Sequence, residues 1–338
     1  MPAAKDTIWA HTAVLKALKS YSNLQSLSIE LQSCRIEIPF QTFTSLRHIS
    51  VSCVGEDPDR PAHHAKSFEN LIEMIAQSPL LESIDFTNNY NYKRRKLSTR
   101  SLHHLFEHYP NDENIPPLQL KRLSLASCLV RLDDEVVMRH LRHLTALSLE
   151  DLLEPLAPIS VAPAIALADD APADDPDEAP AESSNRDPEE EEDEESAIGK
   201  DILEKQNRWG SSYEQIWETI HDAGLKLEEI TLFIIPPAFV DYIGSYSGLK
   251  KLVIGTGGFK DGATSDNAGK RFYEALERHA DSIEELDISA YYEGSWCFGH
   301  HNKSLISTFQ NLKTLSMKVQ STDLVPKVGH QDIIVSFL

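Results

Sequence analysis

One six-residue phrase, L-x-x-L-x-[L/I/V/F/M], recurs nine times along the chain when isoleucine is allowed for leucine. The copies begin at Leu24, Leu46, Leu81, Leu120, Leu144, Leu227, Leu249, Ile283 and Leu312. The cleanest is Leu120-Lys121-Arg122-Leu123-Ser124-Leu125, which runs on to Cys128 at its ninth position. An i, i+3 helical stripe would also pair the first and fourth residues. The apolar, often β-branched sixth position and the Ser or Thr at the fifth favour a strand with alternating faces. A strand this short cannot bury one face alone, so such units are stable only when stacked on their neighbours.

The first residues of successive copies are 22, 35, 39, 24, 83, 22, 34 and 29 positions apart. The short spacings match leucine-rich repeats of roughly 20–29 residues, and the longer ones leave room for a helix and a loop. The expected fold is therefore α/β: a leucine-rich-repeat solenoid of about nine repeats, a horseshoe of parallel strands with helices on its convex side. Helices are readable over Ala65–Gln77, Ser98–Tyr109, Ser211–Ala223 and Asp266–His279, with a Ser98/Thr99 cap before the second. Thr7–Tyr21 reads as a further amphipathic helix, and Pro79 and Pro110 end the helices before them.

The 83-residue spacing holds an anomaly. From Glu154 to about Gly199 the chain is Ala, Pro, Asp, Glu and Ser, with little left to bury. Between Asp169 and Glu195 fifteen acidic residues face the single Arg186, so this stretch supplies −14 of the net charge of −21 and leaves −7 elsewhere. Such a segment repels itself and is expected to stay disordered. The expected division is N-terminal repeats over 1–153, an acidic insert over 154–199, and repeats over 200–338 that continue the same solenoid. Leu227–Leu232 should then stack directly beside Leu144–Leu149, since loop closure grows only slowly with length.

Composition excludes several classes. Mean hydropathy is −0.33 and no apolar run approaches the roughly 18–20 residues of a membrane helix. Met1–Ser20 has no basic region followed by an apolar one, so no secretory signal is visible. Cys34, Cys53, Cys128 and Cys297 are too scattered for a disulfide framework and read as reduced thiols of a cytoplasmic or nuclear protein. No direct contact with nucleic acid is expected.

The third and fifth residues of each phrase point away from the core onto the concave face. They are Ser26/Ser28, His48/Ser50, Ser83/Asp85, Arg122/Ser124, Ala146/Ser148, Glu229/Thr231, Lys251/Val253, Glu285/Asp287 and Thr314/Ser316. The strip is small, polar and weakly charged, with acid concentrated late. It suits protein recognition, although short side chains would also be selected by crowding on a curved sheet. The candidate binding residues are His48, Ser50, Ser83, Asp85, Arg122, Ser124, Glu229, Thr231, Lys251, Glu285 and Asp287. No catalytic set, cofactor or metal is expected. Cys297-Phe298-Gly299-His300-His301 lacks the second ligand pair that a zinc site needs, and Gly255–Gly258 reads as a turn after a strand. Asn89, Cys128 and Gln32 are candidates for buried ladder residues that satisfy the turn after the strand. Lys93–Lys96 is a basic run that suits nuclear import or a solvated loop.

The last third carries more than repeats. Arg271-Phe272-Tyr273, then Arg278–Leu286, then Tyr292-Glu293-Gly294-Ser295-Trp296-Cys297-Phe298 resemble the C-terminal region of F-box and leucine-rich-repeat proteins of basidiomycete fungi. The resemblance covers about Leu249 to Val319, where Tyr292, Trp296 and Phe298 are expected as core or capping aromatics. It implies substrate recognition by the repeats and docking of a Skp1–cullin ubiquitin ligase by an F-box. Thr7–Tyr21 supplies one helix where an F-box needs three, so ligase membership would rest on an F-box encoded upstream. The alternative is an acidic, histone-binding, chaperone-like nuclear protein that holds basic proteins through 169–195.

Overall fold

In a computed structural model, the structure describes residues 23–32, 45–54, 61–89, 100–111, 114–152, 210–257 and 261–320, with isolated positions between them. The acidic insert, Lys93–Lys96, Cys34 and Thr7–Tyr21 as a helix lie outside the described residues.

Every phrase forms a strand. They are β1 (Ser26–Gln32), β2 (His48–Val54), β3 (Ser83–Asn89), β4 (Arg122–Ala126) and β5 (Ala146–Glu150), followed by β6 (Glu229–Ile234), β7 (Lys251–Gly257), β8 (Glu285–Ser289) and β9 (Thr314–Met317). All pair in parallel in one sheet, in sequence order from β1 to β9. Seven helices alternate with them among the described residues: α1 (Pro61–Ala76), α2 (Leu102–Phe106), α3 (Glu135–Leu141), α4 (Tyr213–Asp222), α5 (Pro237–Ile243), α6 (Gly262–Leu276) and α7 (Lys303–Ile306). The architecture is α/β with an all-parallel sheet, compatible with a solenoid. Among the described residues no helix is long and apolar enough to cross a membrane.

One hydrogen-bonding arrangement repeats at each step. The carbonyl of the second residue of a phrase accepts from the N–H groups of the second and third residues of the next phrase, at 2.7–3.1 Å. This occurs eight times, from Gln25 accepting Arg47 and His48 to Glu284 accepting Lys313 and Thr314. It aligns every phrase with its neighbour, and the register follows: Ile84↔Leu123, Leu123↔Leu147, Leu147↔Ile230. The step across the 83-residue spacing is like the others, with Thr145 O accepting Glu228 N at 2.7 Å and Glu229 N at 3.0 Å.

The fourth and sixth positions are buried from β2 to β8 and join one continuous core with the helices. Each such Leu, Ile or Val contributes ~1.5–3 kcal/mol by burial. β9 differs, with Leu315 37% exposed. Helix length does not simply track spacing. The units beginning at Leu46 and Leu249 hold helices of 16 and 15 residues, and those beginning at Leu120 and Leu227 seven-residue helices. Among the described residues, however, the 39-residue unit beginning at Leu81 holds only the five-residue α2. The short ones start on clear signals, Asp134 accepting Val136 N–H before α3 and Pro237 opening α5. Ser101, not Ser98 or Thr99, caps α2. It stands directly before the first helical residue, where the free N–H groups are.

Helices are tied back to the strands of their own units through buried polar side chains. The Leu118 N–H donates to His140 Nδ1 at 3.0 Å, and the Leu249 N–H to His279 Nδ1 at 3.1 Å. His279 Nε2 in turn donates to the Ile243 carbonyl at 2.9 Å. Tyr242 Oη accepts the Leu227 N–H at 3.0 Å and donates to the Leu225 carbonyl at 3.1 Å. Both histidines lie four residues before the next phrase, at Leu144 and Ile283. Burial, and next to it Arg139, lowers the pKa of His140 to about 4, and burial first of all lowers that of His279.

Acid should therefore loosen the fold. The unfolded imidazoles take up protons near their model value of 6.5 while the folded ones resist, so stability is full above that pH and declines as pH falls through the window towards about 4. For His140 the loss reaches about 3 kcal/mol. Urea unfolding between about pH 7.5 and pH 4 should show this decline. His140→Asn, which keeps an acceptor for Leu118, should lower stability at the upper pH and shallow the slope. An unchanged slope would contradict the assignment.

Candidate functional site

The in-register pairing turns the third and fifth positions into two straight rows, with adjacent residues about 4.8 Å apart. They border a shallow trough of about 410 Å³ that runs from β1 to β7. His48, Ser50, Ser83, Asp85, Arg122, Ser124, Glu229, Thr231 and Lys251 all line it, whereas Glu285 and Asp287 lie beyond its end. They sit on β8, one strand past Lys251, where the trough stops.

Contacts within the rows fix much of their charge. Arg122 Nη2 reaches across β5 and lies 2.9 Å from both carboxylate oxygens of Glu229. That bridge is possible because β5 presents Ala146, which is buried rather than part of a polar surface. Lys251 lies 2.9 Å from Glu285, and Ser50 donates to Asp85 at 2.9 Å. The middle of the trough is left to Ser83, Ser124, Ser148 and Thr231, short hydroxyls able to donate and accept.

A third row was legible but not read from the phrase. Its second positions run Gln25, Arg47, Glu82, Lys121, Thr145, Glu228, Lys250, Glu284, Lys313. Opposite charges meet between strands: Arg47–Glu82 at 2.6 Å, Lys121–Glu82 at 2.9 Å, Lys250–Glu228 at 2.8 Å and Lys313–Glu284 at 2.6 Å. Lys121 holds the Glu82 carboxyl below the usual carboxylate range, Lys313 does the same for Glu284, and Glu228 raises Lys250. The signal was the alternation of Glu-Glu, Lys-Lys and Glu-Glu in the last units.

Turns after the strands differ from unit to unit. Asn88 is a buried amide, donating from Nδ2 to the Ser127 carbonyl at 3.2 Å and accepting from Arg100 at 3.4 Å. β3 keeps alternating to its end, so the eighth position faces inward. In the next two units Ser127 (φ 54°) and Asp151 (φ 44°) bend the backbone, and the ninth positions, Cys128 and Leu152, turn in instead. Burial pushes the Cys128 thiol up to about 12, so it is protonated and unreactive at neutral pH. The side chains of Asn89 and Gln32 lie outside the described residues. Gly255 and Gly257 belong to β7 rather than to a turn, because Phe233 lies over Gly255, where a Cβ would come within 2.9 Å of its ring.

Other chemistry-bearing groups are held structurally. Ser101 Oγ is 2.7 Å from His104 Nδ1, while Asp134 bonds the other imidazole, His103, so the contacts do not form one relay. Cys297 is buried with its thiol towards the Tyr292 carbonyl, and His301 Nε2 lies 2.9 Å from the Ser295 carbonyl. Among the described residues, three ligand-type side chains meet only at exposed Glu69, Glu107 and His108.

A second cavity, of about 610 Å³, lies at the ends of β7 and β8. Trp296 and Phe298 are buried as expected, but Tyr292 is 86% exposed and Tyr291 64%. Tyr292 falls in the loop after β8, before the buried Trp296–Phe298 stretch that packs on α6. No protein-family model matches the chain, and no curated protein does.

The second-position row predicts a salt-sensitive mutant. Lys250→Glu would place three acidic side chains on adjacent strands and should lower the thermal midpoint by a few degrees at low salt. Added salt should restore most of the loss. A loss that salt leaves untouched would assign the role of Lys250 to packing of its aliphatic stem.

Proposed function

We propose that the chain is a leucine-rich-repeat solenoid acting as a non-enzymatic protein-interaction module, with the trough across β1–β7 as the surface that meets a partner. The observation that supports this is the continuity of that surface. Seven adjacent strands contribute hydroxyl and charged groups to one trough, and its charges are positioned by Arg122–Glu229 and Lys251–Glu285. Such a surface matches an extended or convex protein partner better than a small molecule, which calls for a deep and mostly apolar pocket.

The finer reading is substrate recognition related to F-box ubiquitin-ligase adaptors, in the cytoplasm or nucleus. It draws on the Tyr292–Phe298 stretch and its flanks. Docking to Skp1 and cullin would require an F-box. The charge of 169–195 favours a second reading, an acidic module that holds basic proteins such as histones.

Two sets of variants separate them. Ser124→Arg with Ser148→Arg fills the trough with two large cations and should weaken a trough-bound partner by about ten-fold or more. Deletion of 169–195 should leave that partner bound. Co-purification of Skp1 and cullin with the chain extended by its upstream reading frame supports the adaptor reading, and clean absence removes it. Histone binding that survives the trough variants and disappears with the deletion would replace the first reading by the second.

A further inference from the structure

Among the described residues, three exposed large apolar side chains, Ile234, Tyr291 and Tyr292, gather at the ends of β6 to β8. The sheet brings them together. Leu232 pairs with Ile254 but Ile234 pairs with Gly257, so two residues of β7, Gly255 and Thr256, stand against Phe233 alone. Such a shift re-aims side chains near a strand end. Phe233 covers Gly255, where a Cβ would lie 2.9 Å from its ring, and Tyr291 lies against Gly257, where a Cβ would lie 3.4 Å from its ring. Tyr291 is held there by its N–H, which donates to Thr256 Oγ1 at 3.2 Å. Two rings from either side of β7 thus rest on glycines, with Ile234 beside them. The 610 Å³ cavity next to them has a further aromatic wall, Trp296 stacked on Phe259 at 5.9 Å. Its polar groups already have partners. The indole N–H donates to the Ser265 carbonyl and hydroxyl, each at 3.1 Å, while Asp266 accepts the Ser295 N–H and Asp261 the Thr264 N–H, each at 2.7 Å. Glu293 is engaged as well. What this surface offers a ligand is ring faces and tyrosine hydroxyls.

We propose that this aromatic surface docks a proline-bearing segment of the partner protein in the polyproline II conformation. Such a segment is extended, carries flat apolar rings and makes no internal hydrogen bonds, so its carbonyls need outside donors. Aromatic rings to pack on and hydroxyls to donate meet both needs, and aromatic-lined grooves recognise such segments in this way. Tyrosine is also enriched where protein interfaces are strongest. A cation would gain less, because the carboxylates here already hold backbone N–H groups. A second copy of this chain would need a self-complementary patch of roughly 800 Å² from each partner, whereas this surface opens into a cavity. The surface adjoins the trough through Val253, which pairs with the trough-lining Thr231 and stands two residues before Gly255 on β7. A partner lying along the trough would thus reach it past β7. The inference rests on the protein-interaction reading for its partner, but its chemistry can be tested without one.

The test uses the full chain and capped, uncharged peptides that carry Pro-x-x-Pro, with both prolines replaced by alanine or by leucine as controls. Binding is followed by NMR of the tyrosine rings and the Trp296 indole N–H. The proline peptide should shift Tyr291, Tyr292 and Trp296 with saturation, the leucine peptide should bind more weakly, and the alanine peptide should leave them unmoved. Tyr292→Ala should weaken proline-peptide binding by roughly two- to ten-fold at an unchanged thermal midpoint. Tyr292→Phe, which keeps the ring and removes the donor, should fall between that variant and the parent chain. Equal binding of the leucine peptide, or no saturable shift with any peptide into the millimolar range, would overturn the proposal. So would shifts of Tyr291 and Tyr292 on concentrating the chain alone, which would give the surface to a second copy. Ser124→Arg with Ser148→Arg should leave peptide binding intact, so this inference and the trough reading can fail separately.

Discussion

Everything on the outer face depends on one carbonyl in each unit. The second residue of a phrase accepts two N–H groups from the next phrase, and eight such steps hold nine strands in common alignment. A slip by one residue would move buried leucines to the surface and hydroxyls into the core, so burial and hydrogen bonding enforce the same register. Because the phrases stay aligned through all eight pairings, the one shift falling past the phrase between Leu232 and Ile234 of β6, residues far apart in sequence become neighbours by position. Arg122 and Glu229, 107 residues apart, meet in the trough for that reason.

The charges along the second and third positions add a constraint that burial cannot supply. The core positions are interchangeable aliphatics, so a unit could pack on a wrong neighbour with little loss. Alternating Glu and Lys make the order matter, since misplacing a unit would set like charges side by side. These pairs are exposed, and their value lies in discriminating among arrangements rather than in stabilising the right one.

The strands were legible because each phrase states both period and length, and its apolar positions proved to be the buried ones from β2 to β8. The pairing of β5 with β6 followed from the same logic, since a long spacing costs little closure entropy while an unpaired sheet edge exposes a whole apolar face. Helices α3 and α5 were not legible, because two turns give too few residues for a 3.6-residue period to show. His140 and His279 resembled surface residues, each next to an arginine, and only their shared place four residues before a phrase hints at their buried role. Tyr292 failed in the opposite direction, since an aromatic near a strand end can equally cap a core or face a partner. The trough residues were placed by the phrase, but their pairing was not, because which charges meet across strands depends on reach over a small residue such as Ala146.

The central claim is that one register aligns all nine phrases, across the 83-residue spacing included. Cysteines at Ser148 and Thr231, register partners on the outer face, test it most directly. Adjacent parallel partners lie within the ~4.4–6.8 Å Cα separation that a disulfide spans, whereas Ser148 and Val253, two strands apart, do not. The account predicts that the Ser148→Cys, Thr231→Cys protein cross-links within one chain under mild oxidation, and that the Ser148→Cys, Val253→Cys protein does not. Cross-linking of the second pair, or none in the first with both thiols reactive, would contradict it.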